Sequence, residues 1–154
     1  MMNWLAVWEQ LRPGYEELMA RVTERYPEMN AGVQRPPFRF TKFVADLVFI
    51  RDAVSQESED MSLSFECLRG ESQPQIASVA KESMNSGRDI LHFTIRGSRG
   101  EELEALDELI LPADEASEEY EQQVIGYVRE TLDFLKRMTP FILDVLSNPV
   151  DNDN

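Results

Sequence analysis

Apolar residues recur at helical spacing near both ends of the chain and at alternate positions in its middle. That change of period limits the fold more than any other feature. The longest helical run is C-terminal. Tyr120, Val124, Tyr127, Val128, Thr131, Leu132, Phe134, Leu135 and Met138 form one broad apolar face. Asp114 to Glu121 reads as the first turns of this helix, with Lys136 and Arg137 near its expected end, an order of charges that complements the helix dipole. Thr139-Pro140 is expected to kink or break it, because proline lacks an N–H and clashes with the preceding turn. Phe141, Ile142, Val145 and Leu146 would then form a second, short helix. At the other end, Asn3 is placed to cap a helix bearing Trp4, Leu5, Trp8 and Leu11. Pro13-Gly14 reads as an interruption. A second helix on Tyr15, Leu18, Val22 and Tyr26 is expected to stop at Pro27.

Between these ends the period falls to two. Leu63, Phe65 and Cys67 alternate with Ser64 and Glu66, and Leu91, Phe93 and Ile95 alternate with His92, Thr94 and Arg96. Loops are expected at 27–38 and 55–60, and turns at 70–74, 85–87 and 97–100. Three stretches fit either state. In residues 42–54, Phe43, Leu47, Ile50 and Val54 keep helical spacing, and length favours a helix. Residues 75–84 suit a short helix as well as a strand. Leu103, Leu106 and Ile110 suggest a short helix, with Leu109 to Leu111 able to pair with the sheet. The expected fold is α+β: N-terminal helices, a small antiparallel sheet in the middle third, and a long C-terminal helix kinked or broken near Pro140. One domain over 1–148 and a disordered acidic tail over 149–154 are expected.

Charge is distributed unevenly. The chain of 154 residues carries 29 acids and 15 bases, a net of −14. Residues 101–154 hold fifteen of the acids and three of the bases, which places −12 of that charge there. Glu101 to Glu121 contains ten acids and no base. Half of that run is explained by the start of a helix; Glu101 to Glu108 is explained only as the wet side of a short one. A surface of this sign repels phosphate backbones, so direct binding of nucleic acid is not expected.

Catalytic chemistry finds few tools. The single cysteine and single histidine exclude a disulfide framework and a Cys/His zinc site. Strand phase places Cys67 with Leu63 and Phe65 on a core face and His92 on the opposite side, so a thiolate–imidazole pair is not expected. Asp89 and His92, three apart on a strand, also fall on opposite faces and suit no shared metal ion. Glu101, Glu104 and Glu108 lack the alternating acid-and-glycine loop of a calcium site. Arg96-Gly97-Ser98-Arg99-Gly100 is the one basic, glycine-flanked loop, a candidate anion or ligand site at Arg96 and Arg99 without the spacing of a phosphate loop. Neither metal nor cofactor is expected. Tyr127, Phe134 and Phe141, seven apart, read as a core seam, with a homodimer interface as the alternative.

The N-terminal residues lack the basic and apolar regions of a secretion signal, and no apolar run nears the ~20 residues that span a bilayer. A cytoplasmic location and no membrane partner are therefore expected. The functional expectation is a non-enzymatic protein, immunity-, inhibitor- or chaperone-like, that binds a basic protein partner through Glu101, Glu102, Glu104, Glu108, Glu115 and Glu118. A small-molecule-binding domain with a cavity between sheet and C-terminal helix is the alternative, and an acidic mimic of nucleic acid a third.

Overall fold

Asn3 caps the first helix as its position suggests: its side-chain oxygen accepts from the Ala6 amide at 3.2 Å. The computed structural model describes residues 2–26, 30–33, 47–54, 61–68, 75–97 and 99–147. Helix α1 spans Trp4–Arg25 and passes through Pro13 without interruption. The expected break at Pro13-Gly14 is thus corrected. One missing N–H is outweighed by buried anchors on both sides, Trp8 and Leu11 before it and Tyr15 and Leu18 after it. Gly14 has a packing reason. A Cβ there would lie 2.6 Å from Leu132 Cδ2 of the C-terminal helix, so glycine permits the close approach of two helices.

Among the described residues, seven strands follow α1 and form one sheet: β1 (Asn30–Val33), β2 (Leu47–Val54), β3 (Met61–Leu68), β4 (Gln75–Ser83), β5 (Asp89–Arg96), β6 (Glu102–Ala105) and β7 (Leu109–Ile110). Strands β2 to β5 make an antiparallel meander, and β1 adds to β2 in parallel. Strands β6 and β7 both pair antiparallel with β5, one at each end of it. They are two halves of one interrupted edge strand. The β4–β5 turn is closed by Met84 N–H to Arg88 O at 2.7 Å, with Gly87 at φ +87°.

Three ambiguous stretches resolve as strands. Leu47–Val54, expected as helix, pairs along its whole length with β3 from Leu47↔Leu68 to Val54↔Met61. Its β-branched and aromatic content suits a sheet, and tertiary pairing overrides the helical spacing. The loop expected over 27–38 is corrected at 30–33, which form β1 because the edge of β2 supplies backbone partners; 27–29 and 34–38, like 42–46, the loop at 55–60, the turn at 70–74 and the tail at 149–154, lie outside the described residues. Gln75–Ser83 is buried continuously from Ile76 to Lys81, so alternation is hidden because both faces are covered. Glu102–Ala105 and Leu109–Ile110 replace the expected short helix, since sheet pairing supplies backbone partners that so short a helix could not provide for itself.

Helix α2 spans Glu118–Leu146. It begins at the Ser117 cap, whose hydroxyl accepts from the Tyr120 amide at 3.1 Å, later than the expected start near Asp114. It does not break at Pro140. Phe134 and Leu135 before the proline and Ile142 and Leu146 after it are buried in the same core, and that packing carries the helix across. Lys136 and Arg137 therefore lie in its interior and not in its last turn, which holds no base. The two helices run parallel: Trp4 packs on Tyr120, Gly14 faces Leu132, and the Tyr26 hydroxyl donates to Leu143 O at 2.8 Å. Both cover one face of the sheet, through Leu63, Phe65, Val79, Phe93 and Ile95. Tyr127 and Phe134 are buried in this core, so the seven-residue aromatic spacing is a core seam, with Phe134 edge-on to Phe93 at 5.7 Å.

Candidate functional site

The acidic run is divided by the fold. Its first part forms the outer edge of the sheet. Glu101, Glu102, Glu104, Asp107 and Glu108 are all exposed along β6 and the turn that leads to β7. Its second part surrounds the start of α2, where Glu118 is exposed and Glu115 half-buried. The edge follows β5 from Arg96, opposite Glu102, to Ile90, opposite Ile110, so Glu102 lies far from the start of α2 while Glu108, beside Leu109, lies near Asp89, which Tyr120 of α2 hydrogen-bonds. Eight strand residues separate the two ends, on the order of 20 Å. The six glutamates expected to form one partner surface are therefore spread from the Arg96 end of the edge to the start of α2.

The edge itself carries more than charge. Among the described residues, the large hydrophobic side chains classed as exposed are Leu103 (38%) and Ile110 (47%), and both belong to it. Leu106 and Leu109, between them, turn inward and pack on the core. Pairing decides which backbone groups face out. The Leu106 amide donates to Phe93 O and the Leu111 amide to Asp89 O. In an antiparallel ladder, neighbours of such inward residues point the other way, so Ala105 and Ile110 present N–H and C=O outward. No described strand pairs with that side. The register shifts at Ile95/Arg96, opposite Leu103.

Arg96 and Arg99 sit at the turn that enters β6. The Arg96 guanidinium donates to Gly100 O at 3.2 Å, and the Arg99 amide donates to Glu101 Oε1 at 3.0 Å. The loop thus already holds an anion of its own, the Glu101 carboxylate. That carboxylate lies where a Cβ on Gly97 would be, and Gly100 takes the left-handed conformation at φ +85°. No helix follows this loop, so Glu101 serves the turn and caps nothing; Ser98 lies outside the described residues.

A polar cluster that sequence reasoning missed lies at the opposite end of β5, under the starts of both helices. Lys81 on β4 is 5% exposed, with Nζ 3.9 Å from Asp89 Oδ1 and 5.3 Å from the Trp4 ring. The Tyr120 hydroxyl donates to Asp89 Oδ2 at 2.6 Å, and Ser83 Oγ donates to Oδ1 at 3.4 Å. Burial and the Asp89 carboxylate push the Tyr120 hydroxyl well above the usual tyrosine pKa, so it stays a donor. Tyr127 is shifted the same way, by burial first and then by Glu130. The signal for this cluster was a lysine and an aspartate at core-phase positions on facing strands, in register with Leu91 and Ser83. The cluster braces the helices against the sheet; its groups bond to one another and face no described pocket.

His92 faces away from the helices, 3.4 Å from Glu82 Oε2, while Asp89 faces them. Cys67 lies in β3 opposite Val48; its side chain is outside the described residues. Two strand spacings and five residues of rise place its backbone ~20 Å from that of His92. No three His, Cys, Asp or Glu side chains cluster at metal distance among the described residues. Between the sheet and α2, Phe93, Phe134, Ile95 and Leu135 fill the interior. Two grooves lie on helix surfaces: one of about 600 Å³ along Glu16, Met19 and Thr23, and a cleft of about 240 Å³ between Gly14 and Leu132. No described helix is long and apolar enough to cross a membrane.

Comparison with protein-family models, with curated proteins and with solved structures finds no match to this chain.

Proposed function

We propose that the chain is a non-enzymatic binding protein, inhibitor-, immunity- or chaperone-like, whose acidic sheet edge docks a protein partner with a basic surface. One observation carries this reading: the two exposed large hydrophobic side chains, Leu103 and Ile110, lie on the same edge as five exposed acids. Exposed aliphatics set among acids fit an interface, which combines an apolar contact with a charged rim. The charge would speed encounter at low salt, and the aliphatics would hold the complex. Glu115 and Glu118, at the start of α2, add to the long-range field.

The test compares pull-downs from the source cell with the native protein and with Glu101, Glu102, Glu104 and Glu108 changed together to Gln, each at low and high salt. The reading expects a basic protein that is lost on both changes. Equal recovery by the quadruple variant, with an association rate equally sensitive to salt, would remove it.

A further inference from the structure

An open sheet edge can be a hazard or a binding device, and the chemistry of this one separates the two. Ala105 and Ile110 direct their amides and carbonyls outward, and no described strand meets them. Such a row is a template for another strand. A second copy of this chain is a poor occupant. Self-pairing would bring Glu102, Glu104, Asp107 and Glu108 against the same acids of the other copy, and like charges across a ladder are unfavourable. The same acids favour an incoming strand that carries lysine or arginine at alternate positions. Ile110, opposite Ile90 on the sheet face turned away from the helices, offers an apolar contact for the intervening side chains. Arg99 lies in the turn before Glu101 and Arg96 lies opposite Glu102, so the basic segment would run toward β7, away from that turn.

We infer that the outer edge of β6 and β7 takes up an extended basic segment of the partner protein as an added strand, with backbone bonds at Ala105 and Ile110 and the surrounding acids selecting its charge. The inference rests on the reading of this edge as a docking surface and adds the form the partner takes there. The register shift beside Leu103 and the gap at Asp107-Glu108 keep the added strand short, which suits a peptide segment and not a whole second sheet.

An eight-residue peptide of alternating lysine and valine serves as the probe, with a second version N-methylated at every backbone amide so that neither of its edges can donate. Affinity is read by fluorescence anisotropy at low salt, and amide hydrogen exchange is followed at Ala105 and Ile110. The expected result is binding of the first peptide with slowed exchange at both amides, and about tenfold weaker binding of the methylated peptide, as loss of two backbone bonds implies. Ala105→Pro removes an outward N–H without removing a ladder bond to β5 and should weaken the first peptide about fivefold. If that variant fails a circular dichroism check of its fold, the methylated peptide on the native protein decides. Equal binding of the two peptides, or unchanged exchange at Ala105 and Ile110 in the complex, overturns strand addition and leaves the acidic docking surface standing. Failure of the first peptide to bind overturns strand addition as well. Undiminished binding of that peptide by the quadruple Gln variant instead overturns the acidic surface on which the inference rests.

Discussion

Asp89→Asn is the most informative single change to the fold. Its carboxylate faces Lys81 at 3.9 Å, and both side chains are largely buried, 16% and 6% exposed. At that separation an effective dielectric of 20 gives about 4 kcal/mol of attraction. The amide keeps an oxygen to accept from Tyr120, so that bond is weakened and not lost. The negative charge facing a buried ammonium is lost. The expected cost is ~3 kcal/mol, at the lower end of the range for breaking a buried pair because Asp89 retains some solvent. In urea unfolding, a slope of ~2 kcal/mol/M for a domain of this size turns that into a midpoint lower by ~1.5 M. Lys81→Met should cost far less, ~1 kcal/mol, because it keeps an alkyl chain over Trp4 and removes the buried cation together with the need for its counter-charge. The double variant should then be more stable than the two single costs imply, by ~2 kcal/mol. A loss below ~0.5 kcal/mol for Asp89→Asn, or single costs that simply add, would show that Lys81 and Asp89 are not coupled.

Other changes follow from the same packing. Thr131 is fully buried and its hydroxyl has no hydrogen-bond partner among the described residues, so Thr131→Val should leave thermal unfolding unchanged or stabilise the fold by ~1 kcal/mol; a loss above that would reveal a bond at Oγ1. Gly14→Val should cost ~1–3 kcal/mol by urea unfolding, because a Cβ at that position meets Leu132 at 2.6 Å. Tyr120 carries a pKa raised above its unfolded value of 10.0, so the folded state holds the proton more tightly. Its contribution is complete below about pH 10 and falls as pH rises further, by ~1.4 kcal/mol per unit. Tyr120→Phe should lower stability at neutral pH and make the alkaline limb of a pH–stability curve shallower by one group; an unchanged limb would refute the assignment.

Local sequence determined the two ends of this protein and the centre of its sheet. Asn3 caps where it should, the aromatic and aliphatic stripe of 120–146 is a core-facing helix, and Leu63/Phe65 and Leu91/Phe93/Ile95 are strands whose inner faces meet that helix. One-sided burial leaves its period in the residues, and a cap is written within three positions of itself. Local sequence also placed the excess negative charge in the last third. What it could not determine was anything decided by a neighbour distant along the chain. Pro13 and Pro140 look like helix stops, yet both sit inside helices because the core holds the turns on either side. Leu47–Val54 and Gln75–Ser83 became strands because β3 and β5 lay beside them, not because their own spacing required it.

The candidate site divides the same way. Its charge was legible, but its geometry was not. Only the sheet pairing turned Glu101 to Glu108 into an exposed edge and left Leu103 and Ile110 outside the core. Lys81 and Asp89, eight residues apart across a hairpin, became neighbours beneath Trp4 and Tyr120 only when both helices closed over the sheet. A pattern of residues records which side of an element is apolar; which partner covers that side, and which edge stays open, depends on the whole chain finding the arrangement that buries the most.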